Sequence, residues 1–384
     1  MSNFALVNCD IYAGDAVLTD HRVVVRDGVI AEIRASSEGK APAAPDIDLA
    51  GQSVSPGFID LQVNGGGDVL FNGSPTPDGL AAILRGHRRC GTTDLVPTYI
   101  TGPLDGMRAA LKAVSSASTP TSGILGIHFE GPLISESRLG VHDRRYLLDK
   151  PSAELAEIFR PDGTPMIVTL APEIVAPGFV AELVRRGVRV CAGHTDANSE
   201  QIAAAIDEGL SGGTHVWNAM SPITSRDAGA VGALMTDRRV WCDFVADGFH
   251  VGFITLGLSL RALGPHRAFL VTDAMSPVGG TQGGYKLGPY DVTVRDGKCV
   301  TADGTLAGSA LDLATAVRNL IRRLGIPKDE ALRMATLYPA EFLGVSDRRG
   351  RIAVGYPAHL AIFDNEVNVS AVVYDGEYQL VGAI

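Results

Sequence analysis

Short apolar runs alternate with helix-like stretches from about residue 55 to residue 345. The stretches between the runs include "PDGLAAILRGHRRCG" and "ANSEQIAAAIDEGL". Strands that alternate with helices predict parallel βαβ units. The apolar runs lie at residues 57–63, 93–99, 124–129, 166–171, 188–192, 212–217, 240–246 and 268–272.

Eight strand and helix pairs in about 290 residues predict an α/β fold, a (β/α)8 TIM-like barrel over 55–345, because roughly 250 residues is typical of that architecture and insertions are common. A doubly wound open sheet is the alternative. The segment near 283–309 interrupts the alternation after the eighth run, with the sequence "GGYKLGPYDVTVRDGKCVTADGTLAGS". It predicts a β insertion near the mouth of the barrel.

Both ends of the chain have the pattern of short strands with turns between them. Residues 1–54 contain "FALVNCDIY" and "RVVVRDGVIAEI", and residues 346–384 contain "HLAIFD" and "VSAVVYDGEYQLV". A turn signal such as Asp27-Gly28 between β-branched runs predicts a hairpin. Neither end has enough apolar residues for a core of its own, so the two are predicted to form one small β-sandwich domain.

Composition and charge narrow the possible partners. The chain has 384 residues, of which 46% are hydrophobic and 20% are charged, an ordinary balance for a globular protein. Its formal net charge of −10 argues against nucleic acid or an acidic membrane as a general partner. A small anionic substrate is still possible, because a few donors can reverse the field inside one pocket.

The cysteines and the N-terminus predict a cytoplasmic protein. Five cysteines are scattered without CxxC spacing, which fits reduced thiols better than a disulfide framework. The first residues lack a basic segment followed by an apolar core, so we expect no signal peptide. Gly, Pro or charged residues break the apolar runs well before the length of a transmembrane helix.

The reactive side chains concentrate where the barrel strands are predicted to end. In a barrel of this type, the reacting groups lie at the C-terminal ends of the strands. Four of the nine histidines fall at such ends, and His142 follows the third strand in a loop. The strand-end residues are Gln62, Asn64, His128, Glu130, His194, His215, His250 and Asp273.

Glu130, His194 and His215 form a candidate metal site. One carboxylate and two imidazoles leave a coordination position for water, which is typical of catalytic zinc rather than of a closed structural site. A single strand-end histidine is more often a satisfied buried polar group. The joint occurrence of all three residues favours the metal site.

Asp273, in "LVTDAMSP", has two interpretations. It could cap a helix, since Asp is a good N-cap residue. It could also be a general base, because a metal lowers the pKa of a bound water enough for a carboxylate to take its proton. The candidate metal set favours the base.

A candidate anion site follows His215 in "HVWNAMSPITSRD". Asn218, the backbone N–H of Ala219 and Arg226 could together bind an anion, with His250 facing the same mouth. Arginine suits bidentate contact with phosphate. Spacing alone favours the simpler interpretation, a loop asparagine and a surface arginine.

The first strand, "GFIDLQVNGGGD", has Gln62 and Asn64 where many metal hydrolases have two histidines. Neutral amides are poor ligands for a transition metal. The first strand therefore lacks the ligands of a second metal site.

Seven motifs of this chain together resemble those of the N-acetylglucosamine-6-phosphate deacetylases, a family of the amidohydrolase superfamily. They occur in the family's order and cover nearly the whole chain, and "HVWNAMSP" with "VTDAM" is the specific combination. The motifs are "PGFIDLQVNG", "HFEGPLI", "GHTDA", "HVWNAMSP", "ADGFHV", "LVTDAMSPVGG" and "GTLAGS".

The resemblance implies a role for each candidate residue. Glu130, His194 and His215 would hold one divalent ion per subunit, with zinc expected. Asp273 would activate water and later protonate the leaving amine, and His142 would polarise the acetyl carbonyl. The residues implied in substrate binding are Asn218, Ala219, Arg226 and His250 for the 6-phosphate, Ala307 at the acetyl pocket, and Gln62 and Asn64 for ligand or water.

The resemblance also implies a homodimer in which Arg226 reaches the neighbouring site. Family members often carry histidine before this arginine, and here the residue is Ser225, which would alter phosphate affinity but no catalytic role. Family members with Gln-x-Asn on the first strand work with one metal, so one metal is expected here.

Two rival functions remain open at this point. The first is the same hydrolysis on N-acetylgalactosamine 6-phosphate, because the sequence does not settle the configuration at C4. The second is a non-catalytic scaffold with the amidohydrolase fold. The intact set of Glu130, His194, His215 and Asp273 argues against a scaffold, which has no need of it.

Overall fold

The computed structural model describes residues 3–39, 44–264 and 266–384. The predicted N-terminal β segment also includes residues 1, 2 and 40–43, which lie outside these ranges. The strands are β1 Phe4–Tyr12, β2 Val17–Arg26, β3 Val29–Ala35, β4 Asp46–Asp48, β5 Ser53–Pro56, β6 Phe58–Val63, β7 Gly65–Gly66, β8 Val69–Leu70, β9 Thr92–Ile100, β10 Ile127–Glu130, β11 Met166–Leu170, β12 Arg189–Ala192, β13 Gly212–Gly213, β14 Trp241–Phe244, β15 Ala268–Leu270, β16 Gly284–Leu287, β17 Tyr290–Arg295, β18 Lys298–Thr301, β19 Leu306–Ser309, β20 Leu360–Phe363, β21 Val369–Tyr374 and β22 Glu377–Leu380.

The α-helices fall mainly between the barrel strands. Several begin at residues that the sequence marks as caps: Thr76 accepts a hydrogen bond from the N–H of Gly79, and Asn198 forms a capping box with Gln201. The helices are α1 Pro77–Arg88, α2 Leu104–Ala117, α3 Ala153–Ile158, α4 Phe179–Arg185, α5 Ser199–Asp207, α6 Gly229–Thr236, α7 Phe253–Leu263, α8 Leu313–Leu324, α9 Lys328–Arg333 and α10 Leu337–Leu343. No helix within the described ranges is long and apolar enough to cross a membrane.

Eight parallel strands form a nearly closed barrel. Their spatial order is the order of the chain, from β6 through β9 to β15. The gap between β6 and the chain after β15 is closed by few contacts. The N–H of Asp273 donates to the carbonyl of Gln62 at 3.1 Å, and the Thr272 hydroxyl donates to Asp60 at 2.5 Å. The predicted barrel is confirmed, and the doubly wound alternative is excluded.

The strands of both chain ends form a second domain with a single mixed sheet. Its order is β22-β21-β20-β5-β1-β2-β3, with β4 paired to β1. The N-terminal and C-terminal strands meet where β5 pairs antiparallel to β20, with Val54 opposite Ile362. Leu6, Ile11 and Leu360 lie in an apolar cluster that belongs to this domain alone. The predicted second domain built from both chain ends is therefore confirmed, and its described strands belong to one mixed sheet. The sandwich arrangement and the exact boundaries at 54 and 345 stay predictions.

Strands β16–β19 form a separate antiparallel sheet at the mouth of the barrel. Leu287 and Cys299 of this sheet pack in one apolar cluster with Ile100 and Met275, which follow barrel strands. The sheet therefore contributes a wall to the cavity described below.

A buried ionic cluster ties the C-terminal segment to the barrel. Arg349 donates from Nε to Asp94 of β9 at 2.7 Å, and Nδ1 of His359 lies 3.0 Å from the same carboxylate. All three side chains are at most 6% exposed. Burial would raise the pKa of Asp94, but the charges of His359 and Arg349 hold it well below its usual range.

Arg349→Met should lower the free energy of unfolding by about 3–5 kcal/mol, because it leaves the Asp94 charge buried without its partner. The control is Arg348→Met, whose exposed pair with Asp347 should contribute less than about 1 kcal/mol. Denaturant unfolding measures both.

The loss caused by Arg349→Met should depend on pH. The pKa of Asp94 is lower in the folded state than in the unfolded state. Such a carboxylate stabilises the fold at a pH above its unfolded-state pKa, and this stabilisation is lost as the pH falls through its folded-state pKa. The difference in the free energy of unfolding between wild type and Arg349→Met should therefore become smaller as the pH is lowered. Equal losses for Arg348→Met and Arg349→Met would contradict this account.

Candidate metal centre and active site

A cavity of about 730 Å³ opens at the C-terminal ends of the barrel strands. It is the place where a TIM barrel is expected to carry its reacting groups. Nine of the residues singled out from the sequence line it: Asn64, Glu130, His142, His194, His215, Asn218, Ala219, His250 and Asp273.

Glu130, His194 and His215 converge at the base of this cavity. Oε1 of Glu130 lies 3.1 Å from Nε2 of His194 and 2.9 Å from Nε2 of His215. The three candidate ligand atoms all lie within 4.8 Å of one another, and all three side chains are buried. One carboxylate and two imidazoles that meet at a point fit a first-row divalent ion such as zinc.

The surroundings of the two histidines suit the same ion. Nδ1 of His194 donates to the carbonyl of Arg138 at 2.7 Å, which leaves Nε2 free to bind a metal. The backbone N–H of His215 donates to the buried carboxylate of Asp243 at 2.5 Å. The first contact holds the His194 ring in the orientation that aims Nε2 at Glu130, and the second anchors the backbone of His215.

Electrostatics at this point favour a cation. Burial would lower the pKa of His215, but the hydrogen bond to Glu130 and its negative charge raise it to about 9. The same two histidines hold the pKa of Glu130 well below its usual range, against the effect of burial. A proton held here competes with a metal ion, so metal binding should release protons.

Asp273 lies at the end of the eighth barrel strand, where two amides hold it. Its Oδ1 accepts from Nδ2 of Asn64 at 2.6 Å and from Nε2 of Gln62 at 3.3 Å. The opposite oxygen, Oδ2, lies 3.6 Å from Nε2 of His250. Gln62 and Asn64 therefore contact the candidate base, whereas the sequence had suggested contacts with ligand or water. Asn64 also lines the cavity, and Gln62 does not.

The structure does not support the interpretation of Asp273 as a helix cap. Among the described residues the next α-helix after it is α8, which begins at Leu313 and is capped by Asp312. Asp273 therefore has no helix to cap.

Several site residues have a strained backbone. His194, His215, Ala219 and Asp273 have φ values of 48°, 33°, 48° and 52°, in the left-handed region that non-glycine residues seldom adopt. Such conformations cost of order 1–3 kcal/mol each and cluster at functional sites. All four of these residues line the one cavity. The left-handed φ of His215 is not a strand conformation, which fits the end of β13 at Gly213 although its apolar run continues to residue 217.

His142 lies on the loop after β10, against the candidate metal ligands. Its ring centroid is 4.4 Å from that of His194. Its Nδ1 is 2.8 Å from Oγ1 of Thr101, the residue after β9. His142 is 3% exposed, yet it lines the cavity.

Of the four residues predicted to bind an anion, three line the cavity and one lies outside it. Nδ1 of His250 lies 2.7 Å from Asp247. Burial opposes a charge on His250, but Asp247 and Asp273 raise its pKa to about 9, so it is cationic at neutral pH. Asn218 and Ala219 line the same cavity, whereas Arg226 is exposed to solvent outside it.

The acetyl pocket suggested for Ala307 has a wall from the β16–β19 sheet. Ala307 itself is fully buried, and its carbonyl accepts from the hydroxyl of Tyr285. Its neighbours Leu306 and Gly308 line the cavity, together with Leu287. The sequence indicated Ala307 but not Leu287, whose only signal was an apolar residue in the insertion.

Comparison with known proteins identifies the family. A family model described as the amidohydrolase family matches residues 53–378, and one described as the NagA composite domain matches residues 3–54. An N-acetylgalactosamine-6-phosphate deacetylase of Shewanella sp. (strain ANA-3) is 39% identical over 364 residues, which cover 94% of this chain and 92% of that protein.

Two further relatives match over nearly their full length. An N-acetylglucosamine-6-phosphate deacetylase of Haemophilus influenzae is 31% identical, over 98% of this chain and 99% of that protein. The crystal structure of N-acetylglucosamine-6-phosphate deacetylase from Pasteurella multocida has a TM-score of 0.93 at 34% identity, over 98% of this chain and 100% of that chain. The resemblance inferred from the motifs is confirmed, and the chain belongs to the amidohydrolase family.

Proposed function

We propose that this protein is an enzyme that hydrolyses the acetamide of N-acetyl-D-glucosamine 6-phosphate to D-glucosamine 6-phosphate and acetate. The observation that carries the proposal is the single cavity lined by Glu130, His194, His215, Asp273 and His142. Amide hydrolysis needs an activated water, a polarised carbonyl and an acid for a poor leaving amine. This set contains groups suited to each task.

One divalent ion per chain, with zinc expected, would be held by Glu130, His194 and His215. When bound, such an ion supplies Lewis acidity that lowers the pKa of water towards neutrality. Asp273, held by two amide donors, takes the proton from the attacking water through its carboxylate. Asp273 then returns that proton to the nitrogen of the leaving amine, and His142 donates a hydrogen bond to the acetyl oxygen.

The 6-phosphate would bind to cationic and N–H donors at the rim. His250, Ala219 and Asn218 line the cavity of one chain and would supply these donors. Arg226 would come from a second copy in a homodimer. Two features support a dimer: Arg226 shares its loop with the exposed Ile223, and Ile254 and Leu258 lie exposed one turn apart on α7.

The proposed compartment is the cytoplasm. All five cysteines are free, and four of them are buried. Unpaired thiols persist in a reducing compartment, which is the basis of this proposal.

Activity on the two epimers tests the proposal directly. Measuring kcat/KM on the 6-phosphates of N-acetylglucosamine and N-acetylgalactosamine should give turnover, with the gluco sugar preferred. The galacto sugar is the second candidate because the Shewanella relative at 39% identity bears that name. A preference for the galacto sugar would reassign the substrate, and no turnover of either by metal-loaded protein would favour a scaffold.

Arg226→Ala should raise KM by at least about tenfold and change kcat little, because a phosphate anchor stabilises ground and transition states alike. Steady-state kinetics on the phosphorylated sugar and on unphosphorylated N-acetylglucosamine provide the measurement. Only the phosphorylated sugar should be affected. Arg238→Ala, an exposed arginine beyond α6, is the matched control, and equal losses on both sugars would remove Arg226 from the phosphate site.

A further inference from the structure

His142 can reach a substrate through only one of its ring nitrogens. Nδ1 is engaged, since it lies 2.8 Å from Oγ1 of Thr101. Nε2 has no protein partner within the described ranges, and the side chain lines the cavity. Nε2 is therefore the atom that would meet the acetyl oxygen.

The direction of the hydrogen bond to Thr101 decides whether His142 can help the reaction. A carbonyl oxygen only accepts, so Nε2 must carry a proton to polarise it. In neutral imidazole one nitrogen is a donor and the other is an acceptor, so Nδ1 must then accept a hydrogen bond. Thr101 is the only described residue that offers Nδ1 a hydroxyl.

The hydroxyl proton of Thr101 has two acceptors to choose from. Nδ1 of His142 is at 2.8 Å, and the carbonyl oxygen of Glu130 is at 3.4 Å. The second distance lies beyond the usual range for a hydroxyl donor, roughly 2.5–3.0 Å. The shorter distance therefore favours Nδ1 of His142 over the Glu130 carbonyl as the acceptor of this proton.

We propose that Thr101 is a positioning residue that donates its hydroxyl proton to Nδ1 of His142 and so selects the tautomer with the proton on Nε2. The hydrogen bond made by one ring nitrogen sets the protonation of the other. The inference rests on the proposed role of His142 in polarising the substrate carbonyl, and it deepens that function.

Close packing holds the Thr101 hydroxyl in place. Gly131 follows the candidate ligand Glu130 and has a φ of +82°. A Cβ at Gly131 would come within 2.3 Å of Oγ1 of Thr101. Thr101 is itself only 4% exposed. The backbone around Glu130 thus leaves room for this hydroxyl beside the His142 ring.

Thr101→Val in the metal-loaded enzyme should lower kcat about 10- to 100-fold, by analogy with the loss seen when a hydrogen-bond partner that orients a metal-bound imidazole is removed. KM should change little, because no phosphate contact is touched. Thr101→Ser keeps the hydroxyl and should recover most of the activity. The matched control is Thr336→Val, which removes a buried hydroxyl that donates to Leu332 at 2.7 Å, far along the chain from the site.

A readout of the tautomer separates positioning from simple stability. In ¹⁵N-histidine-labelled holoenzyme, with the signals of His142 assigned through His142→Asn, Nε2 should be protonated and Nδ1 bare. Thr101→Val should change this pattern, and Thr101→Ser and Thr336→Val should not.

Three results would overturn the proposal. They are a protonated Nδ1 with a bare Nε2 in the wild type, a kcat for Thr101→Val no lower than for Thr336→Val, and loss of metal from Thr101→Val, which would mean that Thr101 acts through Glu130. The tautomer measurement needs no substrate. If the wild-type enzyme fails to deacetylate the sugar, the proposed function is wrong, but the tautomer measurement still tests the hydrogen bond between Thr101 and His142.

Discussion

Asp273→Asn should lower kcat by about 10⁴-fold, the upper end of what a general acid–base group contributes, because the one carboxylate serves both halves of the reaction. The amide is nearly the same size. In the wild type, Nδ2 of Asn64 donates to Oδ1 of Asp273 at 2.6 Å, and the amide oxygen of the variant can accept the same hydrogen bond. The fold and the metal ligands should therefore be kept. Steady-state kcat is measured together with metal content and substrate affinity.

The control for Asp273→Asn is Asp312→Asn. Asp312 caps α8 through the N–H of Thr315 at 2.8 Å, and asparagine caps a helix about as well as aspartate, so kcat should not change. If Asp273→Asn keeps its metal and loses less than tenfold in kcat, the base lies elsewhere. If the metal is lost as well, Asp273 is a ligand and the one-metal geometry is wrong.

The architecture follows from local patterns that the sequence displays. The alternation of apolar runs and helical stretches needs only short-range periodicity, and it predicted every barrel strand from β6 and β9 to β15. The positions of Glu130, His194 and His215 follow from the same pattern, because parallel strands bring their C-terminal ends to one edge. These residues could be named before any contact was known.

Contacts between distant side chains could not be predicted in this way. Gln62 and Asn64 hold Asp273 across more than 200 residues of chain, and no local pattern records that pairing. The sequence assigned the two amides by analogy to ligand or water. Thr101 gave no signal at all, since a threonine after a strand is ordinary until the loop with His142 folds onto it.

Arg226 illustrates a different limit. The family resemblance implies an anion contact for Arg226, but within one chain it is exposed and lies outside the cavity. Arg226 is proposed to act on a second copy, so the geometry of a single chain does not test its role. The Arg226→Ala kinetics described above do.

Removing the divalent ion with a chelator should abolish deacetylation, and adding back about one equivalent per chain should restore it. Glu130, His194 and His215 supply one three-ligand set with their atoms within 4.8 Å, and three protein ligands with a place for water form a complete catalytic site. Within the described ranges no second cluster of such residues meets the same distance. Titrating metal into the stripped protein while following activity gives the stoichiometry.

The first strand explains why one ion should suffice. Neutral amides occupy positions 62 and 64, and both donate a hydrogen bond to Asp273. These hydrogen bonds orient the carboxylate, so no second ion is needed to hold it.

Glu130→Gln removes the charged ligand, so this variant should lose both the ion and the activity. Gln62→Glu, which alters the first strand but leaves all three ligands, should still bind one ion. Two ions per wild-type chain at full occupancy would refute the single-site arrangement, and full activity in metal-free protein would remove the metal from the reaction.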